Sequence, residues 1–257
     1  MLFSVSSFAS SVPKVQNGTL DLRNWDSETN PTLSLEGEWR FYWNQHLIPE
    51  TFDTAKRGEA SSAPVPGNWT ALIEPGSRNQ LLPQHGIATY ALDIIFSENN
   101  LDNLSLSIDE IGSSYKLFVS SNQQIQQNLQ SGTVGPDAQS SQPFIQTQIL
   151  TLGPRNQNTL TLLVHVSNFS HGYSGFIKAP QLGQAEIIKS EHSMSSLLNF
   201  LCLGALLILC LSQIASLFVN EQSRIHTGLA ALSFLGLILL AARGSFFQLL
   251  DPIGTTF

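Results

Sequence analysis

Residues 194–219 read MSSLLNFLCLGALLILCLSQIASLFV and contain no Asp, Glu, Lys, Arg or Pro. As an α-helix this stretch would be about 39 Å long, at roughly 1.5 Å per residue. That length exceeds the hydrocarbon core of a membrane, which is about 30 Å thick. The alternative is a buried helix of a soluble domain, but such helices rarely run this far without a charge. We therefore predict a transmembrane helix over residues 194–219.

A second apolar stretch runs from Thr227 to Ala242 and ends at Arg243. With its flanks it predicts a second transmembrane helix over residues 226–249, with the Arg243 side chain reaching the membrane interface. A polar turn over 220–226 separates the two spans, and residues 250–257 form a tail. Arg224 on one side and Lys189 and Arg243 on the other leave the orientation undecided by charge.

The bulk composition separates an acidic front part from a neutral apolar part. Only 12% of the 257 residues are charged, and the formal net charge of −7 lies wholly in residues 1–192, which hold 10 Lys and Arg against 17 Asp and Glu. An acidic domain repels phosphate backbones, so we expect no nucleic-acid partner. Cys202 and Cys210 both lie in the first apolar stretch, so the front domain has no disulfide of its own.

Residues 17–189 show the two-residue period of β-strands. The clearest alternating sets are Tyr90, Leu92, Ile94 and Phe96; Leu104, Leu106 and Ile108; Tyr115, Leu117 and Val119; and Leu160, Leu162, Val164 and Val166. Short strands divided by turn residues predict an antiparallel β sandwich. Residues 1–16 are a signal-like or disordered N-terminus, residues 121–142 a hairpin end followed by a long exposed loop, and residues 189–194 a polar hinge.

The densest aromatic segment is GEWRFYW, residues 37–43. On a strand, Trp39, Phe41 and Trp43 share one face, which we expect to be core. Arg40 and Tyr42 share the other face, where they either pack at the edge of the core or face a ligand such as a sugar.

Two histidines near the end of the last long strand raise the question of a metal site. His165 alternates away from Val164 and Val166, which places it on the outer face, and His171 follows six residues later. Two histidines at this spacing are more often ordinary surface residues than ligands. The sequence holds no phosphate-binding loop and no nucleophile–base arrangement. We therefore expect neither a metal nor a cofactor.

Several short motifs occur in a fixed order: GEWRFYW (37–43), PVPGNW (64–69), GIATYALDI (86–94), IGSSYKLFV (111–119), VHVSNFSHGYSG (164–175) and then Leu182-Gly183. Together they resemble extracellular domain type 2 of bacterial seven-transmembrane receptors with diverse intracellular signalling modules (7TMR-DISM). The resemblance covers about residues 18–185. It implies a galactose-binding-like jelly roll on the periplasmic side of the bacterial inner membrane, with the two apolar stretches as the first two of seven spans.

The resemblance also implies a small, carbohydrate-like ligand and a cytoplasmic output such as a cyclase or kinase. Five spans and the output are missing, so the chain is expected to be a truncated receptor or a fragment. Where that family usually has an Asn-Gly hairpin turn, this chain has Ser120-Ser121-Asn122-Gln123. From their chemistry near the motif turns, the predicted ligand-binding residues are Arg40, Tyr42, Trp69, His85, His171 and Tyr173.

The VPGNW and ATY motifs also resemble the sugar-binding jelly roll of glycoside hydrolase family 2, which raises the hypothesis of an enzyme. Retaining hydrolysis needs two carboxyl groups about 5 Å apart. Asp109 and Glu110 are adjacent, and neighbours on a strand point to opposite faces. We therefore expect no catalysis. The rival function is a membrane-tethered protein-interaction or carbohydrate-binding module without signalling output, and a homodimer is compatible with either.

Overall fold

The structure is a computed structural model that describes residues 12–52, 60–97, 103–144, 146–153, 157–219 and 224–240. The boundary between two compact units falls between Ile188 and Lys189. Of the predicted signal-like or disordered N-terminus over 1–16, residues 1–11 lie outside the described residues, as does the predicted tail over 250–257. Residues 12–16 are described. Val15 is already part of the first unit, because it is buried and pairs with Gly37.

The described part of the first unit is built from short strands. They are β1 (Thr19–Leu22), β2 (Thr32–Ser34), β3 (Gly37–Trp43), β4 (Ser61–Val65), β5 (Gly67–Asn68), β6 (Gly86–Phe96), β7 (Leu104–Ile108), β8 (Ile111–Gly112), β9 (Ser114–Ser121), β10 (Gln124–Ser131), β11 (Gln148–Thr151), β12 (Thr159–Asn168), β13 (Gly175–Phe176) and β14 (Gln181–Gln184). Two 3-10 turns, Pro49–Thr51 and Trp69–Ala71, lie between them.

The strands form a large sheet and two smaller ones. The seven-stranded sheet has the order β10-β9-β12-β6-β3-β4, and β1 pairs with the end of β6. A four-stranded sheet has the order β11-β7-β14-β2, and a three-stranded sheet the order β5-β13-β8. Among these strands only the β1–β6 pairing is parallel. The predicted antiparallel sandwich is therefore confirmed, with one parallel strand that the sequence did not indicate.

One hydrophobic core lies between the large sheet and the smaller ones. Leu92 and Val164 from the large sheet join Leu106 and Leu182 from the four-stranded sheet and Phe176 from the three-stranded sheet. The alternation predicted for β6, β7, β9 and β12 is confirmed, since the predicted inward residues of these strands all belong to this core. Apolar burial of this kind is the main force that holds two sheets together.

The segment 121–142 is more ordered than predicted. β9 and β10 meet in a two-residue hairpin at Asn122 and Gln123, whose φ values are +47° and +63°. Positive φ at both central positions is what a type I′ turn requires. Because β10 continues to Ser131, the first half of the predicted exposed loop is a strand. The hairpin end was predicted correctly.

Helix α1 (Ala185–Val219) follows β14 without an intervening residue. The predicted polar hinge over 189–194 is therefore wrong, because these residues are helical. Their polarity suggested a break, but they contain neither Gly nor Pro, and nothing in their backbone preferences ends a helix. Ala185 and Ile188 in the first turn of α1 are buried in the first unit.

Within the described residues, α1 is the one helix long and apolar enough to cross a membrane, over Ala185–Ser216. Only 6% of its apolar window is buried, and Leu201 and Ile208 are 60% and 68% exposed. A core helix of a soluble domain would bury such side chains. The exposed leucines are what a lipid-facing helix presents, and a membrane location for α1 is consistent with them.

The second apolar stretch forms helix α2 (Arg224–Leu240), which has 17 residues. It begins inside the predicted polar turn over 220–226, and residues beyond 240 lie outside the described part of the chain. At about 1.5 Å per residue the described helix is roughly 26 Å long. The predicted second span over 226–249 is therefore not confirmed.

Candidate functional site

The six predicted ligand-binding residues divide into two separate groups. Trp69, His85, His171 and Tyr173 lie around the loops at the end of the sandwich where β6 begins. Helix α1 begins at the opposite end of the sandwich. Leu22 pairs with Phe96 at the end of β6, and the side chain of Gln184, the residue before α1, donates to the carbonyl of Ser27, which follows Leu22 closely in the chain. Arg40 and Tyr42 instead lie on the outer face of the seven-stranded sheet, on β3.

Asn168 organises the loops around the first group, a role that the sequence did not predict. Its side chain is fully buried and donates to the carbonyls of His171 and Tyr173 at 3.0 and 3.2 Å, and to the Ser174 hydroxyl at 2.8 Å. Its oxygen accepts from the His171 N–H at 2.9 Å. A short polar side chain after a strand is a common loop organiser, but nothing in the sequence marks this Asn above the others.

Only part of this first group is available to a ligand. Trp69 is buried in the core, and its indole N–H donates to the Pro83 carbonyl at 2.9 Å. Tyr173 and His171 are half-buried and bonded to each other, because the Tyr173 N–H donates to His171 Nδ1 at 3.2 Å. His85 is exposed. Hydrogen bonds within these loops fix the positions of His171 and Tyr173. Trp69 is a structural residue rather than a ligand contact.

Arg40 is also held by the protein itself. Its Nη2 lies 2.9 Å from Asp93 Oδ2, close enough for an ion pair although the N–H directions miss hydrogen-bond geometry. The Thr161 hydroxyl donates to the other oxygen of Asp93 at 2.7 Å. The guanidinium lies over the Phe52 ring, 5.6 Å from its centre. Only 11% of the Arg40 side chain is exposed, so Arg40 stabilises the outer face through these contacts.

A segment over residues 44–52, which we name the cover segment, lies across this outer face. Tyr42 is 2% exposed beneath it and packs edge-on against Phe52, with 5.9 Å between the ring centres. Three hydrogen bonds from the segment's backbone fasten it to β6: the Asn44 N–H donates to the Ile87 carbonyl, the Leu47 N–H donates to the Thr89 hydroxyl, and that hydroxyl donates to the Gln45 carbonyl. The prediction that Tyr42 contacts a ligand is therefore wrong in this structure, because the cover segment buries it.

His165 lies on the outer face, as predicted, but it is 5% exposed rather than a surface residue. Its Nε2–H donates to the Leu47 carbonyl at 2.6 Å, and its ring stacks on His46 with 4.7 Å between centres and 7° between planes. Burial lowers the pKa of His165 to about 4, although the Leu47 carbonyl opposes that effect, and burial also lowers the pKa of His46. The sequence of the cover segment has no period that would have revealed this contact.

A cleft of about 330 Å³ opens beside the cover segment, next to the β9–β10 hairpin. Its lining residues are Pro49, Phe52, Ser120, Asn122, Gln123, Thr159 and Thr161. None of these carries a charge, and five of the seven offer a hydroxyl or an amide. The volume is at the lower end of the range for small-molecule sites. None of the six predicted residues lines this cleft, which is thus a site that the sequence did not indicate.

A second hollow of about 560 Å³ is lined by residues near the start of the chain, including Lys14, Glu36 and Glu38. Lys14 and Glu36 form an ion pair at 3.4 Å, with side chains 66% and 50% exposed. Such exposed ion pairs contribute little to stability and do not hold the side chains of this hollow in place. Within the described residues, no three His, Cys, Asp or Glu side chains gather in a way that could hold a metal ion.

The predicted carboxylate pair also has a different setting from the one expected. Asp109 and Glu110 lie in the bend between β7 and β8 rather than on a strand. The Asp109 carboxylate is 3.6 Å from Lys178 Nζ, and the Glu110 carbonyl accepts from the Ile177 N–H. Glu110 is exposed, and neither carboxylate lines the cleft or the second hollow.

No protein-family model and no curated protein matches the chain. Similar solved structures include a family 2 β-galacturonidase from Eisenbergiella tayi bound to galacturonate, at 15% identity and a TM-score of 0.39, covering 60% of this chain and 24% of that one. Others are the β-glucuronidases of Ruminococcus gnavus (13%, 0.38, 59% and 28%) and Faecalibacterium prausnitzii (13%, 0.41, 59% and 31%). The chain thus spans about a quarter to a third of the length of these enzymes.

Proposed function

We propose that this chain is the ligand-sensing input part of a bacterial membrane receptor, with a jelly-roll domain in the periplasm and a membrane-embedded tail that starts with α1. The ligand is a small, neutral, carbohydrate-like molecule, and the chain itself is not an enzyme. The observation that carries the proposal is the uncharged polar cleft beside the cover segment, in a domain whose last strand runs directly into a long apolar helix.

The lining chemistry supports a neutral polyhydroxylated ligand. Asn122 and Gln123 are exposed and offer amides that can both donate and accept, and the exposed Thr159 offers a hydroxyl. Sugar hydroxyls need this kind of two-way hydrogen bonding. The buried Ser120 and Thr161 hydroxyls already donate within the protein. No cation lines the described cleft, and residues 1–192 carry seven more negative than positive charges (17 − 10), so phosphorylated or carboxylated sugars are disfavoured.

The membrane part of the proposal rests on the exposed leucine surface of α1 and on the apolar character of α2. A ligand can shift the state of such a receptor only if it binds one state more tightly than another. The first turn of α1 is packed in the sandwich at Ala185 and Ile188. Movement of the sandwich around the cleft would therefore reach the residues where α1 starts.

A panel of neutral monosaccharides and disaccharides tests the proposal on the full chain in lipid nanodiscs. A sugar present at 100 times its Kd stabilises a protein by about 2.7 kcal/mol. For a domain of this size, we expect the Tm to rise by roughly 5–10 °C. Gln123→Ala and Thr159→Ala should weaken binding about tenfold, because each removes a hydrogen-bonding group from the cleft wall.

Gln126→Ala is the matched control. Gln126 lies on the same hairpin, is exposed and does not line the cleft, so its binding curve should equal that of the wild type. A panel without any Tm shift would contradict the proposed ligand class. A shift that Gln123→Ala and Thr159→Ala leave unchanged would contradict the position of the site.

The second candidate function is a membrane-tethered carbohydrate-binding module without signalling output. The same cleft supports this function, because binding a sugar in the cleft does not require α1 or α2 to move. The two functions differ in one measurable respect: a receptor changes the exposure of α1 or α2 when sugar binds, and a tether does not. Cysteine accessibility at Cys202, which is exposed on α1, distinguishes them in nanodiscs with and without sugar.

A further inference from the structure

We propose that His165 and His46 form a proton-sensitive latch that holds the cover segment closed over the outer face at neutral pH and releases it in acid. The opening itself is a property of the fold. Its role in admitting or releasing a ligand rests on the proposed function.

The latch has a defined geometry. His165 projects from β12, in the middle of the large sheet, and its Nε2–H bonds the Leu47 carbonyl of the cover segment at 2.6 Å. His46 of the same segment stacks on the His165 ring, and Phe118 from β9 meets that ring edge-on at 5.0 Å. The two imidazoles therefore join the cover segment to the sheet through one hydrogen bond and one ring contact.

The surroundings of His165 disfavour a positive charge. From the cover segment it faces His46, and from β9 it faces Lys116, which is its direct partner in the sheet. The adjacent β6 position is Thr89, which does not titrate. Across the described outer face, the other ionisable groups are the paired Arg40 and Asp93 and the buried hydroxyl of Tyr42, with Glu50 exposed on the cover segment. No described carboxylate thus contacts the histidine pair.

The direction of the effect follows from burial. The closed form lowers the pKa of His165 from its ordinary 6.5 to about 4, so the closed form binds fewer protons than an open, hydrated form between those values. Stability of the closed form is therefore present near pH 7 and is lost as the pH falls through this window. Lowering the pH from 7 to 5 should raise the open population roughly 20-fold.

The same segment reaches the cleft. Leu47 and His46 stand at the latch, whereas Pro49 and Phe52, a few residues further along, form part of the cleft wall. Phe52 also packs on Tyr42 and beneath Arg40. Release of the latch would remove this wall of the cleft. Acid should therefore weaken ligand binding even though no charged residue lines the described cleft.

Hydrogen exchange of the full chain in nanodiscs tests the latch without any ligand. The probe is the peptide containing residues 44–52, where the Asn44 and Leu47 amides are hydrogen-bonded to the sheet. After correction for intrinsic exchange, its protection should fall roughly 20-fold from pH 7 to pH 5. Peptides from the centre of β12 should keep their protection over the same range.

His165→Gln keeps a side-chain N–H for the Leu47 carbonyl but does not titrate, so its protection should depend much less on pH, with only His46 left to titrate. His46→Gln removes the ring that stacks on His165 and one of the two titrating groups, so the fall in protection from pH 7 to pH 5 should be smaller than in the wild type. His192→Gln, outside the sandwich, should behave as the wild type. Equal protection of the wild type at both pH values, or an unchanged pH response in His165→Gln, would overturn the latch while leaving the sugar test unaffected.

Discussion

Replacing Arg40 by Met should lower the free energy of unfolding of the sandwich by about 3–5 kcal/mol, the usual cost of breaking a buried ion pair. The pair with Asp93 is almost wholly shielded from water, and the loss would leave the Asp93 charge without this partner. The Arg40 stem and guanidinium also pack over Phe52. Thermal and chemical denaturation of the full chain in nanodiscs measures the effect.

The double variant Arg40→Met, Asp93→Leu separates a structural role from a ligand-binding role. Removing both charges should restore most of the lost stability, because replacing a buried pair by apolar residues is often nearly neutral. Sugar affinity should then recover in part, since neither residue lines the cleft, although each contacts a residue that does, Phe52 or Thr161. A stable double variant that no longer binds any sugar would show that the Arg40–Asp93 pair is required for the ligand site, contrary to a purely structural role.

Asn168→Ala should cost about 3 kcal/mol and loosen the loops at the far end of the sandwich. The change removes the amide that donates to the partly buried His171 and Tyr173 carbonyls and to the buried Ser174 hydroxyl. Among the described residues, only the His171 carbonyl keeps a second side-chain donor, from Gln84. Each unsatisfied buried polar group costs about 1–3 kcal/mol. We expect faster hydrogen exchange in residues 169–174 and a lower Tm, with β9 and β10 much less affected.

Asn128→Ala is the control for Asn168→Ala. Asn128 is exposed on β10, and its removal should change stability by no more than about 0.5 kcal/mol. If Asn168→Ala were as mild as this control, the loops would be held by the backbone contacts alone, and Asn168 would not be their organiser.

The large-scale organisation of the sandwich follows from patterns that act locally along the chain. The alternation in β6, β7, β9 and β12 predicted the strands because each residue's side is fixed by the pleat of its own strand. The same argument correctly separated Trp39 and Phe41 from Arg40 and Tyr42. It could not show that Tyr42 and His165 are buried, because the cover segment that buries them has no period of its own, and its contact with His165 joins residues 118 positions apart.

The site was harder to predict than the fold for the same reason. Arg40 and Trp69 have the chemistry of ligand contacts, but their partners Asp93 and Pro83 are brought to them only by the tertiary structure. The cleft combines residues near 50, 120 and 160, none of which forms a motif. The continuous helix across 189–194 shows the opposite error, in which local polarity was read as a break although no residue there stops a helix.

We propose that α1 lies in the membrane and that the sandwich stands outside the cytosol. Gln139 is exposed on a loop of the sandwich, and Cys202 and Cys210 are the chain's two cysteines. In a Cys202→Ala, Cys210→Ala background, Gln139→Cys gives a single reporter. A membrane-impermeant maleimide applied to spheroplasts should label it fully, with the protein in the membrane fraction. Labelling that appears only after the membrane is broken would contradict this topology and the receptor function with it.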